Sequence, residues 1–138
     1  VLSSAPIPDT VTGIGAMAFA ATSISEVTIP SGLTELTSAF ALTKIKQITV
    51  PGTVKTIDAQ ALECMPEIET ITIEEGVETI GERAFDSSDK LKTVYIPASV
   101  TAIGEDSFWN SDNASIVTPA GSYAESYLKE NGVPYKNQ

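Results

Sequence analysis

A repeat of about 23 residues runs through almost the whole chain and limits the folds that are open to it. Its clearest copy is VETIGERAFDSSDKLKTVYIP, at residues 77–97. Each copy opens on an apolar residue, has a second one three positions later, and continues to a small–large pair and an alternating stretch. Repeats of this length form solenoids, in which each coil buries its apolar face only against its neighbours. The opening residues, spaced by 22, 21, 23 and 23 positions, are Val11, Leu33, Val54, Val77 and Val100.

The alternating stretch that closes each repeat predicts a short strand, because apolar β-branched residues take every second position. Every coil runs in the same direction, so we expect the strands to be parallel. Their apolar side chains should face inward and their alternates outward. The expected strands cover residues 26–29, 46–50, 69–73, 92–96 and 115–118.

The opening segment suits a second short extended piece and not a long helix. Gly15, Gly81 and Gly104 follow it, and we expect them to allow a bend that a Cβ would resist. The small–large pair then directs a large side chain into each coil, and its small neighbour lets adjacent coils approach. The large side chains should stack as an internal spine: Phe19, Phe40, Leu62, Phe85 and Phe108.

The pattern changes at Ser122, which forms a capping box with Glu125 at the start of a helix. Apolar residues at helical spacing predict this helix over residues 123–130, and Gly132 and Pro134 end it. An array must cover its last apolar coil, so residues 122–138 are predicted to be a C-terminal cap.

The N-terminal end shows no matching cap. Residues 1–10 look like the tail of a preceding repeat, which suggests that further sequence once lay upstream. We therefore expect an unpaired strand edge near residues 5–7, available for end-to-end self-association. The expected units of this single domain are residues 11–32, 33–53, 54–76, 77–99 and 100–121, followed by the cap.

Composition argues against several function classes. The net charge of −10 disfavours nucleic acid and anionic membranes as partners. The chain has no histidine and one cysteine, so the usual catalytic sets and metal-ligand motifs cannot form. We therefore expect no enzyme activity, no cofactor and no metal. Cys64 is interpreted as a half-buried filler, with a reactive thiol as the alternative.

The string VxxIGxxAFxxxxxLxxVxIP, carried best by residues 77–97 and 100–108, resembles the BspA-type leucine-rich repeat family. The segment AGSYAESYLKENGVPY, at residues 120–135, is similar to the closing segment common in that family. The resemblance implies a right-handed leucine-rich-repeat solenoid of the α/β class, rich in short parallel strands. It also implies a secreted or cell-surface protein of bacteria, some of whose relatives are adhesins. A cysteine usual in the family is replaced here by Met65, Ser88 and Ser111.

Ten of the eighteen acidic residues lie between positions 58 and 89. A calcium site or a docking patch for a basic partner is one reading, but the spacing matches no calcium loop. We favour a solvated acidic flank. These residues are Asp58, Glu63, Glu67, Glu69, Glu74, Glu75, Glu78, Glu82, Asp86 and Asp89.

The outward side of the predicted strands is the natural binding face of such a solenoid. Thr28, Thr49, Thr72 and Tyr95 are the candidate binding residues there, although threonine also simply suits a half-exposed strand. Trp109 follows the inward Phe108 and should face outward, as a further binding residue. We favour the alternative, that Trp109 packs over the junction with the capping helix, near its tyrosines.

The sequence therefore predicts a non-catalytic module that binds an extracellular protein or glycan and belongs to a bacterial cell-surface or secreted protein, with adhesion among its roles. The alternative is a structural spacer that carries another domain away from the cell envelope. No stretch of 18 apolar residues exists, so membrane insertion by this segment is not expected.

Overall fold

Short parallel strands stack coil on coil in the computed structural model, which describes residues 3–138. From the second coil to the fifth, each coil contributes strands to two of its sides and a run of turns to a third. One helix follows the last full coil. In chain order the elements are β1 (Ser4–Ala5), β2 (Glu26–Val27), β3 (Glu35–Leu36), β4 (Gln47–Val50), β5 (Thr56–Ile57), β6 (Thr70–Ile73), β7 (Thr79–Ile80), β8 (Thr93–Tyr95), β9 (Ala102–Ile103), β10 (Ser115–Thr118), α1 (Tyr123–Glu130) and β11 (Tyr135–Asn137).

The strand column, as we name the first side, consists of β1 paired with β2 and of a parallel sheet in the order β11-β10-β8-β6-β4. All five predicted strands are found here, each within two residues of its expected bounds. Their inward residues from Ile48 to Ile116 are buried, which confirms the alternation. The strand β11 was not predicted, because it comes after the repeats end.

The opening column is a second parallel sheet, in the order β3-β5-β7-β9. It confirms that the spacing of three forms a short extended piece in the second to fifth repeats. The equivalent segment of the first repeat, around Val11 and Ile14, forms no strand, and both residues are only half-buried.

The third side carries what we name the turn ladder, in which N–H groups of alternate residues donate to carbonyl groups of the next coil. Every one of these bonds points towards the C-terminal end. Between the third and fourth coils, Gln60, Leu62 and Cys64 donate to Glu82, Ala84 and Asp86, at 2.9 Å each. Between the fourth and fifth coils, Arg83, Phe85 and Ser87 donate to Glu105, Ser107 and Trp109, at 2.9–3.1 Å.

The turn ladder holds non-glycine residues in the left-handed region, two in most coils and four positions apart. Such residues cost free energy unless their surroundings fix them, so the ladder determines the backbone here against local preference. The nine residues, with φ between 51° and 63°, are Met17, Ala21, Leu42, Gln60, Cys64, Arg83, Ser87, Asp106 and Asn110.

The second coil is where the ladder is interrupted. Leu42 is its single left-handed residue, and Leu42 N–H to Cys64 is the only described ladder bond from it to the third coil. This coil is also the shortest, with 21 residues between Leu33 and Val54. The interruption of the ladder thus coincides with the shortest repeat.

The predicted spine is confirmed. Phe40, Leu62 and Phe85 are fully buried, Phe108 nearly so, and Phe19 at the N-terminal end is half-buried. The rings of Phe19 and Phe40 stack with centroids 5.5 Å apart. Those of Phe85 and Phe108 stack at 5.2 Å, so the spine links coils through side chains as well as backbone.

The glycines act differently from the prediction. The predicted need for glycine is wrong at position 15, because a Cβ on Gly15 would meet no described atom within 4 Å apart from its two chain neighbours. At Gly81 a Cβ would lie 2.6 Å from the carbonyl carbon of Asp58, and at Gly104 it would lie 2.6 Å from the Cα of Glu82. The obstacle is thus the backbone of the preceding coil and not a bend within the glycine's own coil.

The predicted helix is found as α1 with the expected bounds. The Ser122 hydroxyl accepts a hydrogen bond from the Glu125 N–H at 3.1 Å, but the Glu125 carboxylate accepts from Gly121 N–H, one residue before the position that a capping box requires. At the other end Gly132 is left-handed, and Val133 N–H donates to Leu128 at 2.9 Å, closing a Schellman motif.

The helix packs over β9, and the Tyr127 hydroxyl donates to the Gly104 carbonyl at 2.9 Å. Two residues of the helix, Ala124 and Leu128, are fully buried. In the same layer as the helix, β11 pairs with β10. Residues 122–138 thus cover the last strands of both columns, as a cap must.

Replacing Gly81 by alanine should lower the free energy of unfolding by about 1–3 kcal/mol, because the new methyl group overlaps the preceding coil. Gly15→Ala is the matched control, and it should leave stability unchanged or raise it by up to about 1 kcal/mol. Urea denaturation followed by circular dichroism measures both. Equal losses in the two variants would contradict the close-approach argument.

Cys64 is half-buried, and burial, with the nearby carboxylates Glu63 and Asp86, raises the pKa of its thiol above the ordinary value. A raised pKa leaves less thiolate at any given pH, so alkylation by iodoacetamide at pH 8 should be slower than for the urea-unfolded chain. The pH at which alkylation reaches half of its maximal rate should be higher for the folded protein than for the unfolded chain. A folded-state midpoint at or below the unfolded one would refute this.

Deleting residues 122–138 should lower the melting temperature and cause aggregation, because it uncovers the apolar side chains of the last coil. Ser122→Ala, which removes the helix cap and the hydroxyl partner of Thr118, should cost about 1–2 kcal/mol and leave the protein monomeric. Thermal melts and light scattering after gel filtration compare the two. A truncated chain that is monomeric with an unchanged melting temperature would show that this segment is not a cap.

Candidate functional site

The outward side chains of the strand column form two rows across its sheet. The parallel register aligns Thr49 of β4 with Thr72 of β6, Tyr95 of β8 and Val117 of β10. The second row runs Gln47, Thr70, Thr93 and Ser115. One turn of the solenoid separates neighbours in each row, so the two rows present hydroxyl groups at a regular spacing.

Four of the five candidate residues belong to this side of the molecule. Thr49, Thr72 and Tyr95 share the first row, and Thr28, the equivalent position one repeat earlier, is exposed just beyond β2. Trp109 does not join them, because it lies on the turn ladder of the fifth coil. The candidate residues therefore form one row and one separate position.

Tyr95 is the large side chain of the row, with 38 % of its surface exposed. A shallow cleft of about 370 Å³ lies beside it. The cleft is lined by Thr72, by Glu75, and by Pro97 and Pro119, which end their strands. Sequence reasoning missed the two prolines and Glu75 as site residues, although Pro97 was already visible as the end of a strand.

Charge lies on the flank of the strand column and at its two ends, where Glu26 of β2 and Lys136 of β11 are exposed. Between β4 and β10 neither row contains a charged side chain. Just before the strands, Lys90 pairs with Glu67 at 2.8 Å and Lys92 with Glu69 at 2.6 Å. Hydrogen bonding to these lysines lowers the pKa of both glutamates, so both carboxylates are ionised at neutral pH.

The acidic residues form a flank more than a site. No three His, Cys, Asp or Glu side chains within residues 3–138 are placed to hold a metal ion together. Asp86 differs from the solvated reading of this flank, because only 3 % of its surface is exposed. Its carboxylate binds the Arg83 guanidinium at 2.7 Å and accepts from the Ser87 hydroxyl at 2.8 Å, which keeps the buried charge paired.

Trp109 lies at the junction of the fifth coil with α1, with 52 % of its surface exposed. It lines a cleft to which Tyr127 of the helix also contributes. The side chain is thus near the helix, as the alternative reading had it, and is still largely open to solvent.

No helix among the described residues is long and apolar enough to cross a membrane.

The chain is similar in fold to a leucine-rich repeat protein from Bacteroides ovatus, whose crystal structure it matches with a TM-score of 0.57 and 21 % identity. The match covers 84 % of this chain and 37 % of that protein, so the chain spans well under half of the protein it matches. No curated protein sequence matches the chain.

The model of the BspA type leucine rich repeat region matches residues 1–115, in six copies that end before α1. Proteins of this family are generally found on the surface of bacteria or are secreted by them. Solenoids of this kind are typically non-enzymatic and serve as repeat modules for protein interaction. The match covers most of the chain and agrees with its stacked parallel strands, so the chain belongs to the BspA-type leucine-rich repeat family.

Proposed function

We propose that this chain is a recognition module of a bacterial cell-surface or secreted protein, and that the outer side of the strand column binds an extracellular protein or a glycan, as in adhesion. The observation that carries the proposal is the alignment of Thr49, Thr72 and Tyr95 in one uncharged row beside a cleft. Thr28 extends that row towards the N-terminal end.

The chemistry of the row suits a neutral or mildly basic ligand. Threonine hydroxyl groups donate and accept hydrogen bonds. The row presents one threonine hydroxyl on each of three successive coils, at Thr28, Thr49 and Thr72. The Tyr95 ring, with Pro97 and Pro119 around it, gives an apolar surface for the face of a sugar or for an apolar side chain. The acidic flank disfavours anionic ligands and attracts basic ones at longer range.

Rigid support adds to the case for this side. The strands beneath the row pair on both edges from β6 to β10, and their inward side chains are buried. The side chains of the row are therefore held at fixed spacing before any ligand arrives, which reduces the entropy lost on binding.

Tyr95→Ala should weaken binding to the ligand by at least about 1 kcal/mol, roughly fivefold in Kd, while the fold persists because the ring points outward. Tyr123→Ala is the matched control, since Tyr123 is similarly exposed, at 44 %, but lies on α1 away from the row. Arrays of extracellular-matrix proteins, mucins and neutral glycans provide the screen, and titration calorimetry compares the variants.

A ligand that binds wild type and Tyr95→Ala equally, and that Thr49→Ala and Thr72→Ala also leave unaffected, would exclude this row. The spacer function would then be favoured. A loss in the Tyr123→Ala control as large as in Tyr95→Ala would move the binding surface to the cap.

A further inference from the structure

The last layer of the solenoid has two sides instead of three. In that layer α1 lies over β9 and β11 pairs with β10, so both strand columns are continued. No described residue continues the turn ladder there. The result is a recess one layer deep, which we name the end notch. Its floor is residues 106–110 and its wall is residues 131–133 together with Tyr127.

The floor of the end notch carries three unused hydrogen-bond donors. In the fourth coil the N–H groups of Arg83, Phe85 and Ser87 donate to the fifth coil. Their equivalents 23 residues later are Asp106, Phe108 and Asn110. The N–H groups of these three residues donate to no acceptor within residues 3–138.

The backbone of the floor is already in the conformation that a ladder partner needs. Asp106 and Asn110 have φ of 52° and 55°, as Arg83 and Ser87 have 53° and 56° in the paired coil below. The donors are thus spaced at alternate residues along one edge, ready for carbonyl groups that are spaced in the same way.

The size and surface of the notch suit a short chain segment. Two adjoining clefts, of about 330 and 380 Å³, extend along it and share Phe108, Asp112, Asn131 and Val133. Phe108, the last ring of the spine, lies at the floor, and the exposed Trp109 stands beside it. In the fourth coil, the carbonyl group in the middle of the ladder belongs to Ala84, and the next residue, Phe85, places its ring on the spine.

Charge indicates which segment fits. Asp106 and Asp112 are the only charged residues that line the two clefts. Two carboxylates oppose an anion, although unpaired N–H groups alone would attract one. They favour neutral carbonyl acceptors and positively charged side chains, to which the Trp109 ring adds a cation–π surface.

A second copy stacked end to end does not fill the notch. The carbonyl groups of Ala16, Ala18 and Ala20, the complementary edge of the first coil, likewise accept no hydrogen bond from any described residue. However, β1 at one end and β11 at the other extend the strand column by a further layer. In an end-to-end stack, these two extra layers would lie between the two ladder edges and keep them from meeting.

We propose that the end notch binds an extended segment of a partner protein that completes the missing side of the last layer. Three carbonyl groups of the segment, at alternate residues, accept from the N–H groups of Asp106, Phe108 and Asn110. Its small–large pair places the large side chain on Phe108. Its flanking residues are basic. This interaction is independent of the row around Tyr95.

The test uses the blocked heptapeptide Gly-Lys-Arg-Ala-Phe-Lys-Ser, which copies residues 81–87 with lysine in place of both carboxylates. Titrated into the ¹⁵N-labelled protein, it should shift the amide resonances of Asp106, Phe108 and Asn110 with a Kd below about 1 mM, and slow their hydrogen exchange. The same peptide with serine in place of phenylalanine keeps the charge and should bind at least about fivefold more weakly.

Asp112→Asn should weaken the peptide by about two- to fivefold, as expected for an exposed charge pair. Asp89→Asn is its matched control, because Asp89 is the equivalent exposed residue one coil earlier and lies outside both clefts. It should bind the peptide as wild type does. Tyr95→Ala should also bind it normally, which separates this proposal from the ligand of the row.

Four outcomes would overturn the proposal. The peptide leaves the three amides unshifted, or its shifts map to the row around Tyr95. Inorganic phosphate shifts the same amides at lower concentration than the peptide, which would make the notch an anion site. Dilution of the protein alone shifts them, which would show that a second copy occupies the notch.

Discussion

Each coil depends on backbone hydrogen bonds to the coils before and after it, because a coil of about 23 residues is too short to enclose a core of its own. On two sides these bonds are ordinary parallel pairing between strands of two to four residues. Strands so short are marginal alone, and they persist because they stack in columns. On the third side, the turn ladder supplies the bonds that strands would otherwise make. The spine can only stack if all three sides keep the same rise from coil to coil.

The turn ladder shows how much local preference the stack overrides. Nine non-glycine residues are held in the left-handed region, each at a cost of about 1–2 kcal/mol. In the first four coils the N–H groups of these residues make hydrogen bonds to the next coil, and buried or half-buried spine residues follow them. In the shortened second coil, the left-handed residue that would precede Phe40 is absent, and so are the ladder bonds that would accompany it. In the fifth coil Asp106 and Asn110 keep the conformation without donating, while the carbonyl groups next to them accept from the fourth coil.

Much of the fold was predictable because it follows from periodicity. The strands around Ile71 and Val94, the spine and the bounds of α1 all arise from apolar spacing and capping residues close together in sequence. The left-handed residues were not predictable, since Met17, Cys64 and Arg83 are not residues that signal positive φ and depend on the neighbouring coil. The burial of Asp86 was missed for a similar reason, because its turn position suggested solvent.

The candidate site divides in the same way. The row from Thr49 through Thr72 to Tyr95 could be read from the sequence, because repeat spacing sets strand register. The cleft beside Tyr95 could not, since Glu75 and Pro119 reach it from different coils. The position of Trp109 depends on α1, which lies outside the repeat. Its two readings stayed open in the sequence because no pattern relates a repeat position to the cap.

The single direction of the turn ladder has a consequence for how arrays of this kind change length. A whole coil inserted between two others receives donors from one neighbour and offers donors to the next, so duplication within the array leaves no group unmatched. The two edges of the described coils are therefore chemically unlike: one offers acceptors and the other offers donors. A terminal segment that suits one end therefore cannot be transplanted to the other. Wherever such an array begins or ends, a segment that closes the donor edge must offer acceptors, and one that closes the acceptor edge must offer donors.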